Sequence, residues 1–363
     1  MKKLSEKEWG NFENKKIFKT VIRGQKAYIP TGALINTSNI LEGKIPRIRV
    51  TSLNNGFNGF TEELNDKNFR VYDNFVSVSF LGSAFYQKHK ASLDMKVHCL
   101  QFNDYIMNTD SGLFTALMVM HNSHGTNYGN QLSSEDLAKK RILLPVDIDN
   151  EPDYTYMEEY TNSKRDELIS RYKAFVEKQM EGLEYKKIPK LNEKEWKPIL
   201  LVDIFELIRG KENNMKSLEE GRLPLISAKA IDNGLKAFVC TEKDTIKGNC
   251  ITLNNDGDGG AGYAFYQPSE MALDSHVTAL LPKIDISKYT MIFMARCISS
   301  LRGFFGHGLS ISNKRAKKIK IMLPVDNQGN PDYEYMEQYS KNVMLKKYQQ
   351  YLDFLEKQEA KEQ

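Results

Sequence analysis

Residues 143–160 read LLPVDIDNEPDYTYMEEY, and residues 322–339 read MLPVDNQGNPDYEYMEQY. Leu-Pro-Val-Asp, Pro-Asp-Tyr, Tyr-Met-Glu and a final Tyr recur in register, 179 residues apart. A charged, heptad-like segment that predicts one long helix follows each copy. What precedes each copy reads as a globular module. The chain is therefore module, helix, module, helix, with expected bounds of 1–152, 153–188, 189–330 and 331–363. Self-similarity at a fixed period marks a repeated structural unit, so the function should need two heads at a set separation.

Working outward, the two modules share more words. Leu4-Ser5-Glu6-Lys7-Glu8-Trp9 opens the first, and Leu191-Asn192-Glu193-Lys194-Glu195-Trp196 the second. Ile17-Phe18 with Ile22-Arg23-Gly24 matches Ile204-Phe205 with Ile208-Arg209-Gly210, which predicts a short helix ending in glycine. Arg23 and Arg209 are then solvated helix ends or phosphate contacts. Ile45-Pro46-Arg47-Ile48-Arg49-Val50 stands opposite Leu223-Pro224-Leu225-Ile226-Ser227-Ala228, each running to an Asn-Gly turn. Spacing by two places Arg47 and Arg49 on one strand face, with Ile48 and Val50 inward. That face is either solvated or free to contact bases and phosphates. FVSVSF at 75–80 alternates as a half-buried strand does, and matches residues 250–253. Apolar helical stretches at 113–121 and 289–301 lead to polar, glycine-containing loops. A lysine-rich strand then returns each module to Leu-Pro-Val-Asp. Strands and helices in irregular order give an α+β class. The modules agree at their ends and core strands and differ in their loops, as two heads recognising different things would.

For the helices, Asn330 with Pro331 predicts a strong N-terminal cap in the second copy, and Glu151 a weaker one in the first. A narrow apolar stripe follows in each: Met157, Tyr160, Leu168, Tyr172 and Phe175, then Met336, Tyr339, Val343, Tyr348, Leu352 and Leu355. Narrow stripes suit helices packed on one partner, here an antiparallel coiled coil with a module at each end; the alternative is two unrelated helices, each packed on its own module. About 30 residues of helix span roughly 45 Å.

Composition excludes several classes. A net charge of +4 permits a polyanionic partner without demanding one. Four scattered cysteines without a CxxC pair read as reduced thiols of a cytoplasmic protein. The first residues lack the apolar run of a signal peptide, and no apolar run is long enough to cross a membrane. GDGGAG at 257–262 fits GxGxxG by letters but leads into an aromatic strand, so a nucleotide site is not expected. Asn330-Pro331-Asp332-Tyr333 departs from the Asn-Pro-Pro-Tyr motif of adenine methyltransferases and reads as a helix start. His121 and His124 have no carboxylate or thiol nearby to complete a metal site. No P-loop is present.

The paired Leu-Pro-Val-Asp…Pro-Asp-Tyr-x-Tyr-Met-Glu segments, the run Leu223-Pro224-Leu225-Ile226-Ser227 to Asn233-Gly234, and GDGGAG running into Tyr266-Gln267-Pro268 resemble the specificity subunits of type I and related type IIB and IIG restriction-modification systems. The resemblance covers essentially the full length. The first module departs from it, with Arg-Ile-Arg-Val as its strand and a shortened glycine loop. The resemblance implies that each module reads one half of a split sequence in double-stranded DNA. It implies that the helices set the gap and dock methyltransferase subunits, two of them, with a restriction subunit able to join. This chain would be non-catalytic and hold no cofactor or metal. S-adenosylmethionine would sit in the methyltransferase, which would act on adenine N6. Candidate base readers are Arg47, Arg49, Asn54, Asn127 and Asn130 in the first module and Lys229, Asn233, Arg302, His307 and Asn313 in the second, since arginine suits guanine and amides suit adenine. Lys139, Lys140, Arg141, Lys314, Arg315, Lys317 and Lys318 are candidate phosphate contacts. The alternatives are a two-headed interaction or decoy protein that binds partner subunits without reading sequence, or an enzyme with its site in the loop at 256–262.

Overall fold

The computed structural model describes residues 2–36, 40, 42–123, 125–256, 260–306 and 309–362. The chain divides into two units, Met1–Tyr172 and Lys173–Gln363, both α+β. In the first, strand Trp9–Glu13 leads through helix α1 (Asn14–Ile17) to a hairpin of Val21–Arg23 and Lys26–Tyr28. Strand Phe75–Ser79 lies between Val97–Leu100 and Ala84–Gln87, all antiparallel. A second sheet has the order Phe57–Thr61, Ile45–Ile48, Ala91–Leu93, Val71–Tyr72. Helix α2 (Thr109–His121) covers the first sheet, helix α3 (Ser134–Lys139) follows, and strand Arg141–Pro145 returns to pair with Trp9–Glu13. Helix α4 (Tyr154–Met180) then leaves the module.

The second unit repeats this order. Helix α5 (Leu201–Ile204) follows strand Trp196–Leu200, and Cys250–Asn254 is the inner strand between Val277–Pro282 and Ala264–Gln267. Strand Phe205–Arg209 adds to the far edge of Val277–Pro282. Leu235–Val239, Glu220–Ile226 and Ala272–Leu273 form the other sheet. Helices α6 (Lys288–Ser299), α7 (Asn313–Ala316) and α8 (Tyr333–Glu362) complete the unit.

The core explains why these segments fold as they do. Phe114, Ala116 and Val119 of α2 bury against Val76, Val78, Ala84 and Leu100. Helix α2 can lie this close because Gly112 faces Tyr86, where a Cβ would come within 2.3 Å of the ring. Asn108 caps α2, its Oδ1 accepting from the Asp110 and Ser111 amides at 3.0 Å. Residues 75–79 are buried on both faces, not half-buried as the alternation suggested. Ser77 and Ser79 read as outward positions, yet Ser77 donates internally to the Phe85 carbonyl at 3.1 Å. The expected helix ending at Gly24 is also corrected. Only four residues are helical, and Gly24, at φ +59°, turns a hairpin.

The repeated segment builds the same frame twice. Its Leu-Pro stretch pairs with the strand that opens the module, Trp9 opposite Pro145 and Trp196 opposite Pro324. Asp147 closes the next turn by accepting from the Asp149 and Glu151 amides at 2.9 and 3.0 Å, and Asp326 does so from Gln328 and Asn330 at 2.9 Å. The helix caps are Asp153 and Asp332, which accept from the Tyr156 and Tyr335 amides at 2.9 and 3.0 Å. This corrects the expected caps at Glu151 and Asn330 by two residues in each copy, and the first copy starts as well as the second. Each cap carboxylate also takes a lysine from the module's opening, Lys7 at 2.6 Å and Lys194 at 2.7 Å. The Tyr156 and Tyr335 hydroxyls donate to the Lys2 and Pro189 carbonyls, both at 3.0 Å.

Met157 and Met336 are fully buried in the core of their own module. Tyr160 packs edge-on against Phe114 at 6.1 Å, and Tyr339 against Phe293 at 5.5 Å. These four therefore fasten each helix to its module and are not available to a partner, because the first turns serve as the module's last core layer. Further along, Leu168, Phe175 and Val343 are largely exposed, Tyr172 is about a third exposed, Tyr348 and Leu352 are half-buried, and Leu355 is buried. Helix α4 stops at Met180, short of the expected 188, where Glu181 and Gly182 turn the chain.

Candidate nucleic-acid interface

The frame presents a loop of different sequence in corresponding places of the two modules, after α2 and after α6. In the first module it is held at its base, where Thr126 Oγ1 donates to the Leu81 carbonyl at 2.9 Å and the Leu132 amide to Phe80 at 3.0 Å. Asn127 Oδ1 accepts from the Gly129 and Asn130 amides at 2.8 and 3.0 Å, and Asn130 Nδ2 donates to the Gly125 carbonyl at 3.3 Å. The two amides thus shape the loop tip in the unbound chain. Tyr128, 77% exposed, stands at that tip with its ring edge-on to Phe80 at 5.8 Å.

In the second module a 3-10 turn, Ser300–Phe304, follows α6. Arg302 is exposed and lies over the Tyr263 ring, 5.0 Å from its centroid, with Nη1 donating to the Tyr263 hydroxyl at 2.8 Å. Phe304 beside it is 70% exposed. His307 and His124 lie outside the described residues, as do Gly257, Asp258 and Gly259 of the glycine run. Asn313 opens α7, and Lys314, Lys317 and Lys318 are exposed with no ion pair among the described residues. Arg315 Nη1 donates to the Ser310 carbonyl. The expected lysine-rich strands are corrected to short helices, α3 and α7, because Ser133 and Ser312 each cap a turn there by accepting from the Asp136 and Arg315 amides.

Other candidates fall inside the architecture. Arg47 is buried, with Nη2 at 2.9 Å from Asp94 Oδ1 and 3.0 Å from Oδ2, and Arg49 Nε is 2.7 Å from the same carboxylate. Both were expected on an outward face. Asp94, on the adjoining turn, draws them together, since a carboxylate accepts two guanidinium groups at once. Asn54 and Asn55 hold the left-handed turn before Phe57 at φ 50° and 54°. Asn233 does the same in the second module and donates Nδ2 to the Tyr266 carbonyl at 2.9 Å. Lys229 is tied back to Asp232 at 2.9 Å and to the Leu235 carbonyl at 2.8 Å. Lys139 pairs with Glu135 at 2.6 Å, Arg141 with Glu13 at 3.4 Å, and Lys140 is half-buried at the end of α3. In the unbound chain all of these except Lys140 already serve turns or pairs, which a DNA contact would have to share or replace.

The family model described as type I restriction modification DNA specificity domain matches residues 6–177 and again residues 193–352. The chain belongs to that family. A type II restriction enzyme specificity subunit, S.BcgI of Heyndrickxia coagulans, is 26% identical over 288 residues, covering 78% of this chain and 82% of its own. The crystal structure of a type I restriction-modification S subunit from M. genitalium superposes with a TM-score of 0.50 at 15% identity, over 99% of this chain and 94% of that one, and shares the fold.

As a specificity subunit, this protein recognises DNA for a restriction-modification system and assembles with that system's other subunits. Two tandem specificity domains in one chain fit a bipartite target. No helix among the described residues is long and apolar enough to cross a membrane. No group of three or more potential metal ligands gathers among the described residues, and the cysteines are unbridged. Burial pushes the Cys250 thiol up to about 12, so that group stays protonated. Reading by residue type missed Tyr128, Tyr263 and Phe304. Aromatics inside polar, glycine-rich loops were the available signal.

Proposed function

We propose that the two modules read the two halves of one bipartite duplex target, through the loops that follow α2 and α6. Arg302 and Asn313 remain candidates for base contacts, and Lys314, Lys317 and Lys318 for phosphates. The contrast between frame and loop carries this reading: the helix-start geometry is reproduced to about a tenth of an ångström, while the loops, equal in length from Ser123 and Arg302 to the caps Ser133 and Ser312, carry different residues at most positions. Two methyltransferase subunits dock on α4 and α8, where Leu168 and Val343 offer exposed apolar surface, and the helices fix the gap between half-sites. At about 1.5 Å per residue the helices, of 27 and 30 residues, are about 40 and 45 Å long, comparable with one turn of DNA at about 35 Å. The chemistry belongs to the partners: adenine-N6 methylation with S-adenosylmethionine in the methyltransferase, and cleavage with a restriction subunit, in the cytoplasm.

The test is to co-express the chain with the methyltransferase subunit of its own system and map 6-methyladenine across host DNA. A two-part motif with a fixed gap, absent without this chain, is the expected result. Methylation unchanged by the chain despite a stable complex would refute the reading and mark it as an interaction or decoy protein.

A further inference from the structure

Gly82 and Gly262 occupy the same place in their modules, each in a left-handed turn at φ +88° and +79°. A Cβ on Gly82 would come within 2.9 Å of Ser123 Cβ, and one on Gly262 within 2.8 Å of Arg302 Cα. The same close contact therefore joins the sheet turn to the loop in both modules. Ser123 and Arg302 are equivalent positions, and they are also 179 residues apart. What they carry differs. Ser123 is buried, its hydroxyl donating to the Val119 carbonyl at 2.8 Å. Arg302 is exposed, and its guanidinium is held over the Tyr263 ring by a cation–π contact and a hydrogen bond. Tyr263 is itself fixed, stacked on Phe265 at 6.1 Å and 13°.

Most other arginines in contact with the protein are already occupied. Arg47 and Arg49 share Asp94, Arg141 takes Glu13, and Arg209 donates Nε to the Ser275 carbonyl at 2.6 Å. Arg302 has no carboxylate partner among the described residues, and its Nε and Nη2 donors are not engaged there. Arg23 also lies over a tyrosine, Tyr28 at 5.5 Å, but no hydrogen bond fixes its plane. A planar donor pair whose orientation is fixed before binding loses little freedom on contact. Two parallel donors match the O6 and N7 acceptors that guanine alone presents side by side in the major groove; adenine offers a donor at one of those places. Phosphate would also accept such a fork. The exposed lysines of α7 supply that role in the same module, and Phe304 gives the surface around Arg302 an apolar character that suits base edges.

We propose that Arg302 reads a guanine in the half-site of the second module, with Tyr263 as its positioning residue. The proposal rests on the DNA-reading role of that module. The first module has no counterpart, so its half-site is read by other means.

The test uses the assembled complex with its methyltransferase. Once the wild-type motif is mapped, Arg302→Ala should relax one guanine of one half-site to any base and leave the other half unchanged. In binding assays, 7-deazaguanine at that position should weaken the wild-type complex by about 5- to 150-fold and the Arg302→Ala complex hardly at all. Tyr263→Leu should lower that discrimination without moving the melting temperature of the complex, and Tyr263→Phe, which keeps the stack, should restore part of it. Loss of affinity for all duplexes alike, with the salt slope lowered by about one, would make Arg302 a phosphate contact and overturn the proposal while leaving DNA reading intact. A wild-type motif without guanine would overturn it too. Absence of any motif would sink both this proposal and the function it rests on.

Discussion

The two modules of this chain agree where they use the same residues and part where they do not, down to single side chains. Trp9 stacks on Phe114 at 6.3 Å, and Trp196 on Phe293 at 6.1 Å. Lys7 lies 4.9 Å above the Tyr156 ring, and Lys194 5.0 Å above Tyr335. A more instructive pair is Asp94 and Asp274. Both shape the same turn, their amides donating to the Ile48 and Ile226 carbonyls at 3.0 and 2.9 Å. In the first module the carboxylate collects Arg47 and Arg49; in the second those positions are Leu225 and Ser227, and Asp274 instead accepts from the His276 amide at 3.0 Å. An arginine that looks like a recognition residue is thus one solution to satisfying a turn aspartate, and the other module solves it without arginine.

The comparison can be broken most easily at the core. Met157→Ala and Met336→Ala should each cost about 2–5 kcal/mol, the usual range for emptying a buried methionine site. Equal frames predict costs alike to within about 1 kcal/mol. Denaturant titration of the full chain measures both, and a large cost confined to one module would show that the frames are not equivalent. The next effect is at Arg47. Its truncation leaves Asp94 with Arg49 alone and should cost about 1–3 kcal/mol of stability, with the methylation motif unchanged. An altered first half-site at unchanged melting temperature would restore Arg47 as a base reader.

The smallest effect concerns pH. Burial raises the Asp153 carboxyl, but the Lys7 hydrogen bond, the Tyr156 amide and the lysine charge together hold it below the usual carboxylate range. A depressed folded value means that the carboxylate stabilises the fold above its unfolded pKa of about 3.9, and that this contribution is lost as pH falls through the lower folded value. Asp153→Asn should lower the melting temperature at pH 7 by the equivalent of about 1 kcal/mol, and the gap to wild type should close as pH falls below about 3.9 and through the lowered folded value. A gap that stays constant with pH would mean that the cap acts without its charge.

The repeat, the module–helix order and the α+β class were legible in the sequence because the chain supplies its own internal comparison. The helix caps were misplaced because Asn330-Pro331 is a strong local signal, whereas the role of Asp153 and Asp332 depends on lysines 146 and 138 residues away. Arg47 was misread for a related reason. Alternation along a strand gives a face, but not what the neighbouring turn places on that face. The stripes were only partly legible, since Met157 and Tyr160 follow the same spacing as Leu168 yet serve the module core. Which loop residues touch a ligand was not legible from residue type, because asparagines in polar loops also serve the loops' own turns, as Asn127 does.

One feature of the frame has a mechanical meaning. The start of each module and the first turn of its departing helix are pinned together, by the Lys–Asp pair, by the tyrosine hydroxyl on the preceding backbone, and by five strand pairs between Trp9–Glu13 and Arg141–Pro145 or their second copy. A pull on the helix therefore meets the carboxylate–lysine pair and the paired strands first. The tips carrying Tyr128 and Arg302 belong to neither of those paired strands, so a module can bear load at its pinned ends before it reaches its fingertips.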